Sequence, residues 1–156
     1  PLFFEEIPGS SNGQNCTVRG SVVDSTLIVI KPDGVSRGLV GNIVSRFELK
    51  GFRVRALRIT NLTEDEAREL YSPHKSKPFF NELVDFITSG PVVAAIMDAE
   101  GAVDVARRMV GSTRSAEAQA GTIRGDLGLG VTDNVIHASD SKENFMRESA
   151  IIFSTN

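Results

Sequence analysis

From residue 27 onward, apolar positions follow two alternating periods. Residues 27–30 are an unbroken apolar run, as expected of a strand buried on both faces, and Pro32 and Gly34 close it. Leu39, Val40, Ile43, Val44 and Phe47 recur at helical spacing, with Gly51 placed to stop the helix. Phe52, Val54, Ala56 and residues 57–59 fit a second strand. Thr63 followed by Glu64, Asp65 and Glu66 is an N-cap with acids behind it, so a helix is predicted from there until Pro73. Phe80, Leu83, Val84, Phe86 and Ile87 mark a further short helix, which Gly90-Pro91 breaks. Residues 92–97 make a third strand, and Val103, Ala106, Met109 and Val110 a helix ending at Gly111. Residues 111–130 are glycine-rich and carry no period, which reads as a long loop, and loops of that length are usually functional. A short strand begins at Val135-Ile136, and a last helix spans residues 141–152.

That order fits an α+β sandwich of the split βαβ, ferredoxin-like kind. A three-layer parallel α/β fold fits it too, and periodicity does not separate them. Residues 1–25 stand apart, with Pro1, Pro8, Gly9, Gly13 and Gly20 among small polar residues. They are expected to be an N-terminal extension, with residues 26–156 forming the domain. Leu2, Phe3, Phe4 and Ile7 form a small apolar cluster there, and Glu5 and Glu6 make it too acidic for a targeting peptide.

Composition narrows the functional classes. The 156 residues carry a net charge of −3 and one cysteine, Cys16. A lone cysteine excludes an internal disulfide framework or a Cys-based zinc site. A slight acidic surplus, 6% aromatics and no tryptophan argue against a dedicated nucleic-acid binder with base-stacking platforms. No apolar run approaches the roughly 20 residues of a membrane-spanning helix.

No Walker-type loop, dinucleotide fingerprint, nucleophile elbow or metal-ligand spacing is present. Three features remain. His137 ends an apolar strand in Asn134-Val135-Ile136-His137-Ala138-Ser139-Asp140-Ser141. A histidine there is most often structural, but a neutral imidazole with one nitrogen held and the other free attacks phosphorus well. Ser139 and a carboxylate such as Glu148 are candidates to hold it. Arg107, Arg108, Thr113, Arg114 and Arg124 cluster in sequence around the long loop, and guanidinium forks suit a polyphosphate. Solvated surface charge is the expected state of Arg108 and Arg114. The glycines flanking Arg124 suggest backbone that can approach a ligand. Lys31, in Lys31-Pro32-Asp33-Gly34, sits at the carboxyl end of the first strand, where open sheets bind ligands. Tyr71, His74, Lys75 and Lys77 precede Pro78-Phe79-Phe80, one of whose rings is expected in the core.

Together these segments resemble the nucleoside diphosphate kinases. Lys31-Pro32-Asp33-Gly34-Val35, Arg37-Gly38-Leu39-Val40-Gly41, Lys77-Pro78-Phe79-Phe80, Ser89-Gly90-Pro91-Val92-Val93, Gly121-Thr122-Ile123-Arg124-Gly125-Asp126 and the His137 motif occur in that family's order across about residues 26–153. The resemblance implies a ferredoxin-like βαββαβ fold with a four-stranded antiparallel sheet covered by helices. It implies ping-pong transfer of a γ-phosphate, typically from ATP, to a nucleoside diphosphate through a phosphohistidine, with Mg²⁺ on the nucleotide phosphates rather than in a protein metal site. By the same resemblance His137 is the nucleophile, Glu148 orients its other nitrogen and Ser139 bonds near the transferred group. Lys31 reaches the ribose hydroxyls and the transferring phosphate, with Tyr71 beside it. Arg107, Thr113 and Arg124 hold the β- and γ-phosphates and His74 the α-phosphate. Phe79 stacks on the base, Leu83 and Val131 line the site, and Asn134 contacts the sugar. A homo-oligomer is implied, a hexamer first, with tetramers and dimers in the same family. A cytoplasmic protein is expected, the N-terminal extension leaving an organelle open.

Ala138 stands where the family usually has glycine after the histidine, Thr132-Asp133 where Gly-Arg is common, and Leu127 for a common aromatic. Arg114-Ser115-Ala116 lacks a proline that touches neighbouring subunits in relatives. Two other readings of the same residues are a nucleotide- or single-strand-binding module and a regulatory relative without catalysis. The intact His137, Lys31 and Arg124 speak against the latter.

Overall fold

Strand β2 (Ser21–Ile30) is the spine of the molecule. The computed structural model describes residues 17–18 and 21–154. Cys16 and the apolar cluster of Leu2, Phe3, Phe4 and Ile7 lie outside the described residues. Around β2 run β1 (Thr17–Val18), α1 (Pro32–Ser36), α2 (Val40–Lys50), β3 (Arg53–Thr60), α3 (Glu64–Leu70), α4 (Phe80–Ile87), β4 (Val92–Glu100), α5 (Ala102–Val110), α6 (Ile123–Leu127), β5 (Ile136–Ala138) and α7 (Lys142–Phe153). The sheet order is β5-β2-β4-β3 and every pairing is antiparallel, with β1 folded back on the start of β2. This is the ferredoxin-like α+β sandwich, and the parallel alternative is excluded.

The alternating strand period sorts the core. Ile28, Ile30, Val93, Ala95 and Met97 face one side and pack on Ile43 and Phe47 of α2, Ala102, Ala106 and Val110 of α5, and Ile123 of α6. Leu27, Val29, Val92 and Ala94 face the other and pack on Ala67 and Leu70 of α3, Val84 and Ile87 of α4, and Ile152 of α7. Residues 27–30 are buried on both faces, which is why they read as a continuous apolar run. No helix among the described residues is long and apolar enough to cross a membrane.

Three expectations change. Strand β2 begins at Ser21, and Val23, Asp24 and Ser25 pair with Glu100, Ala99 and Asp98. The sheet thus takes in the end of the segment read as an extension. Asp24 and Ser25 hide this, since they interrupt the apolar pattern while their backbone continues the ladder. The helix from Thr63 stops at Leu70, and Pro73 instead sits in a 3₁₀ turn, Ser72–His74. Residues 111–130 fold into a second 3₁₀ turn, Ser115–Glu117, and α6, whose N-cap Thr122 accepts from the Gly125 amide at 3.0 Å. Arg46 on α2 bonds Asp126 at 2.7 Å and Arg37 donates to the Leu127 carbonyl at 2.7 Å, which pins this segment down.

Candidate functional site

The register between β2 and β5 builds the site. His137 lies opposite Val29, and the chain enters β5 through Asn134 and Val135. Val135 has φ +62°, a left-handed conformation that costs a β-branched residue about 1–3 kcal/mol. Two bonds from the Lys31-Pro32-Asp33-Gly34 turn hold it there. The Val135 amide donates to Asp33 Oδ2 at 3.1 Å, and its carbonyl accepts from the Lys31 amide at 2.9 Å. Gly34 is required, because a Cβ would press on Ile30 and the Val135 carbonyl at 2.8 and 3.0 Å. The strain is held beside Asn134 and two residues before His137.

His137 is partly buried, its side chain 21% exposed. Nε2 lies 3.1 Å from Glu148 Oε2, and the Ser139 hydroxyl donates to that oxygen at 2.5 Å. Glu148 sits on α7 and is only 4% exposed. Burial alone would push its carboxyl up. The His137 hydrogen bond and charge, the Ser139 hydroxyl and Arg147 together outweigh burial and hold it below the usual carboxylate range. An ionised Glu148 accepts only, so in the neutral ring Nε2 carries the proton and Nδ1 keeps its lone pair. Among the described residues Nδ1 has no hydrogen-bond partner. The Tyr71 ring meets His137 edge-on at 6.2 Å between centroids. Burial pushes the Tyr71 hydroxyl well above its ordinary range, so it stays protonated.

Cations gather on the same side. Lys31 is buried, and its ammonium donates to Asn134 Oδ1 at 2.7 Å and the Thr132 carbonyl at 3.2 Å. Burial, then the Arg124 guanidinium, brings Lys31 down to about 8 against a smaller pull from Asp33 and Asp133. Arg124, buried on α6, donates to the Ile136 carbonyl at 2.6 Å and the Gly111 carbonyl at 3.3 Å, while its Nε has no partner among the described residues. Burial and the neighbouring Arg107 bring it to about 10. Arg107 reaches the Ala138 carbonyl at 3.4 Å from α5. Asn134 donates to the carbonyls of Thr113 and Val131 at 2.9 and 2.7 Å, tying both segments to Lys31. Three cations held this close repel one another and favour a multiply charged anion.

Further out, His74 and Phe79 extend the aromatic row, with centroid steps of 6.5 Å from Tyr71 to His74 and 6.1 Å on to Phe79. Phe79 is 45% exposed while Phe80 is core, which settles the Phe-Phe pair. Val131 is also exposed. Leu83 is partly buried and packs on the core beneath α4. Thr113 and His74 are exposed, and no described residue bonds their side chains. Arg108 and Arg114 are exposed.

One reading is corrected. Gly125 does not free backbone for a ligand, because a Cβ there would collide with the Gln119 carbonyl. It packs the segment on itself and so fixes Arg124. Residues without a role in the sequence reading also emerge. Asp33 anchors Val135, Thr132 bonds Glu82 on α4 at 2.8 Å, and Arg147 touches Glu148. Asp33 was within reach of the sequence, in the turn with Lys31. The other contacts join residues far apart in the chain and leave no local signal.

The family model for nucleoside diphosphate kinase matches residues 24–156. A nucleoside diphosphate kinase of Hyperthermus butylicus is 54% identical over 132 residues, which is 85% of this chain and 93% of that protein. Among solved structures, the Aquifex aeolicus nucleoside diphosphate kinase has a TM-score of 0.82 at 42% identity, covering 85% of this chain and 96% of the other. A halophilic nucleoside diphosphate kinase of Halobacterium salinarum, solved in complex with CDP, has a TM-score of 0.81 at 42% identity over 85% of this chain and 88% of its own.

Proposed function

This chain belongs to the nucleoside diphosphate kinase family, and from that we infer that it moves a γ-phosphate from a nucleoside triphosphate to a nucleoside diphosphate, using His137 as the relay. The observation that carries the residue assignment is the His137 ring, held at Nε2 by a buried carboxylate and open at Nδ1. In this reading Nδ1 attacks the γ-phosphorus, the bond to the β–γ bridging oxygen breaks, and the nucleoside diphosphate leaves. An acceptor's β-phosphate oxygen then attacks the phosphohistidine and restores the ring. Glu148 stabilises the charge that develops on the ring, and Ser139 steadies Glu148. Such transfer needs positioning and charge neutralisation above all.

Arg107, Thr113 and Arg124 are assigned to the β- and γ-phosphates, His74 to the α-phosphate, Lys31 to the transferring phosphate and the ribose hydroxyls, and Asn134 to the sugar. The unpartnered Nε of Arg124 and the depressed Lys31 ammonium support this, since both gain from an anion. Phe79, with Leu83 and Val131, is assigned to the base. Stacking with few base-edge contacts tolerates every base. Among the described residues no three carboxylate, imidazole or thiol groups could hold a metal. The donors present fit phosphate oxygens, so Mg²⁺ would arrive on the nucleotide held by these cations and neutralise its phosphate charge. A homo-oligomer, a hexamer first, and a cytoplasmic place of action complete the proposal.

A phosphoenzyme trap tests it. With γ-labelled ATP, Mg²⁺ and no acceptor, the protein should take up acid-labile, alkali-stable phosphate and pass it to GDP. His137→Ala should take up none while still binding ADP. Nucleotide binding without label in the native protein would leave a binding or regulatory relative, and label surviving in His137→Ala would displace His137 from the reaction.

A further inference from the structure

Glu148 has two oxygens, and the reading of His137 as nucleophile uses only one. Oε2 takes both the His137 ring and the Ser139 hydroxyl. Oε1 faces Arg147 Nη2 at 3.5 Å. The groups facing this carboxylate are His137 from β5, Tyr71 at the end of α3 and Arg147 on its own helix, with Ser139 beside them. While His137 waits as a nucleophile it is neutral and Tyr71 is protonated. Arg147 is then the one permanent cation against Glu148 among the described residues.

The guanidinium is anchored independently of Glu148. Nη1 donates to the Glu69 carbonyl at 2.7 Å and Nη2 to the Leu70 carbonyl at 3.3 Å. Asn144 Oδ1 lies 3.4 Å from Nε and from Nη2. Glu69 and Leu70 end α3, where carbonyls lack helical partners and the helix dipole favours a cation. Tyr71 follows at once and sets its ring against His137. One side chain therefore joins the helix bearing Glu148 to the helix end bearing Tyr71.

We propose that Arg147 is a positioning residue for phosphotransfer: it keeps Glu148 an acceptor toward Nε2–H, so that the His137 proton stays off the nitrogen that attacks. The proposal rests on the assignment of His137 as nucleophile. A protonated Glu148 would donate to Nε2 and drive the ring proton to Nδ1, leaving no lone pair for phosphorus. A fixed cation beside the carboxylate opposes its protonation, adding to the hydrogen bonds from His137 and Ser139. Removing it must let Glu148 take up a proton at higher pH.

The test is single-turnover phosphoenzyme formation from ATP between pH 4.5 and 9, in native protein, Arg147→Gln and Arg147→Lys. Glutamine removes the charge and keeps an amide donor at about the place of Nε, and lysine keeps the charge. In Arg147→Gln the acid limb should move up by as much as about one pH unit, lowering the rate by up to about tenfold on the acid side of the native limb and leaving it within about twofold at pH 8.5. Arg147→Lys should keep the native limb, and ADP affinity should be unchanged in both. An unmoved limb in Arg147→Gln, or an equal fall at every pH, overturns the proposal by reducing Arg147 to a clamp between α3 and α7. If circular dichroism shows Arg147→Gln unfolded, Arg147→Lys decides alone: its ammonium cannot fork to both carbonyls, so a native limb supports the charge and a displaced limb refutes it. Native protein that forms no phosphohistidine would instead sink the underlying assignment of His137.

Discussion

Lys31 costs the fold stability, and on the proposed assignment it serves nucleotide binding. Its ammonium is buried beside Arg124, and its folded value is near 8 against an ordinary 10.5. A Lys value lowered by folding imposes a penalty that is full below about pH 8, shrinks as pH rises because the unfolded chain then binds the extra proton, and vanishes above 10.5. A nucleotide's phosphates should restore the proton. ADP binding at pH 9 is therefore expected to take up part of a proton, seen in calorimetry as a binding enthalpy that changes with the buffer's ionisation enthalpy. Lys31→Met should lose that dependence; if the native protein lacks it too, Lys31 does not meet phosphate. At this scale the sequence was informative where a motif is contiguous. His137, Ser139 and Asn134 stand in one run, and Lys31 with Asp33 in another. Arg147 was invisible, because its meaning lies in carbonyls of a helix more than seventy residues earlier.

Helix α3 was legible to its first residue. The Thr63 hydroxyl accepts from the Glu66 amide at 3.2 Å and the Glu66 carboxylate from the Thr63 amide at 2.8 Å, the reciprocal box its spelling announces. Thr63→Ala should lower stability by about 1 kcal/mol in urea denaturation. Turnover at 25 °C should stay within about twofold, since Ala67 and Leu70 still dock the helix and hold Tyr71 in place. A larger loss of turnover with stability intact would mean that the helix start, and not its docked end, sets Tyr71. The elements that were missed share one cause. Residues 21–25 and α6 are fixed by ladder bonds and distant side chains, which periodicity does not record.

The sheet ends in two edge strands, short β5 and long β3. Among the described residues β3 pairs with β4 alone, and its Ile59 is 67% exposed with Leu57 nearly half exposed. A bare edge carrying apolar side chains invites pairing with another chain unless something covers it. If the proposed oligomer forms, light scattering should return a multiple of the 16.8 kDa chain, six copies first, and a monomer at micromolar concentration would overturn it. At the far side of the sheet, β5 completes the molecule against β2, joining Val29 to a partner more than a hundred residues later. A ribosome adding about 5–20 residues per second needs roughly 5–20 s to bridge that gap. Through that interval the growing chain displays the end of β2, residues 28–30, without its β5 partner. On the proposed assignment of His137 as the relay, a half-made copy that lacks it cannot be charged with phosphate.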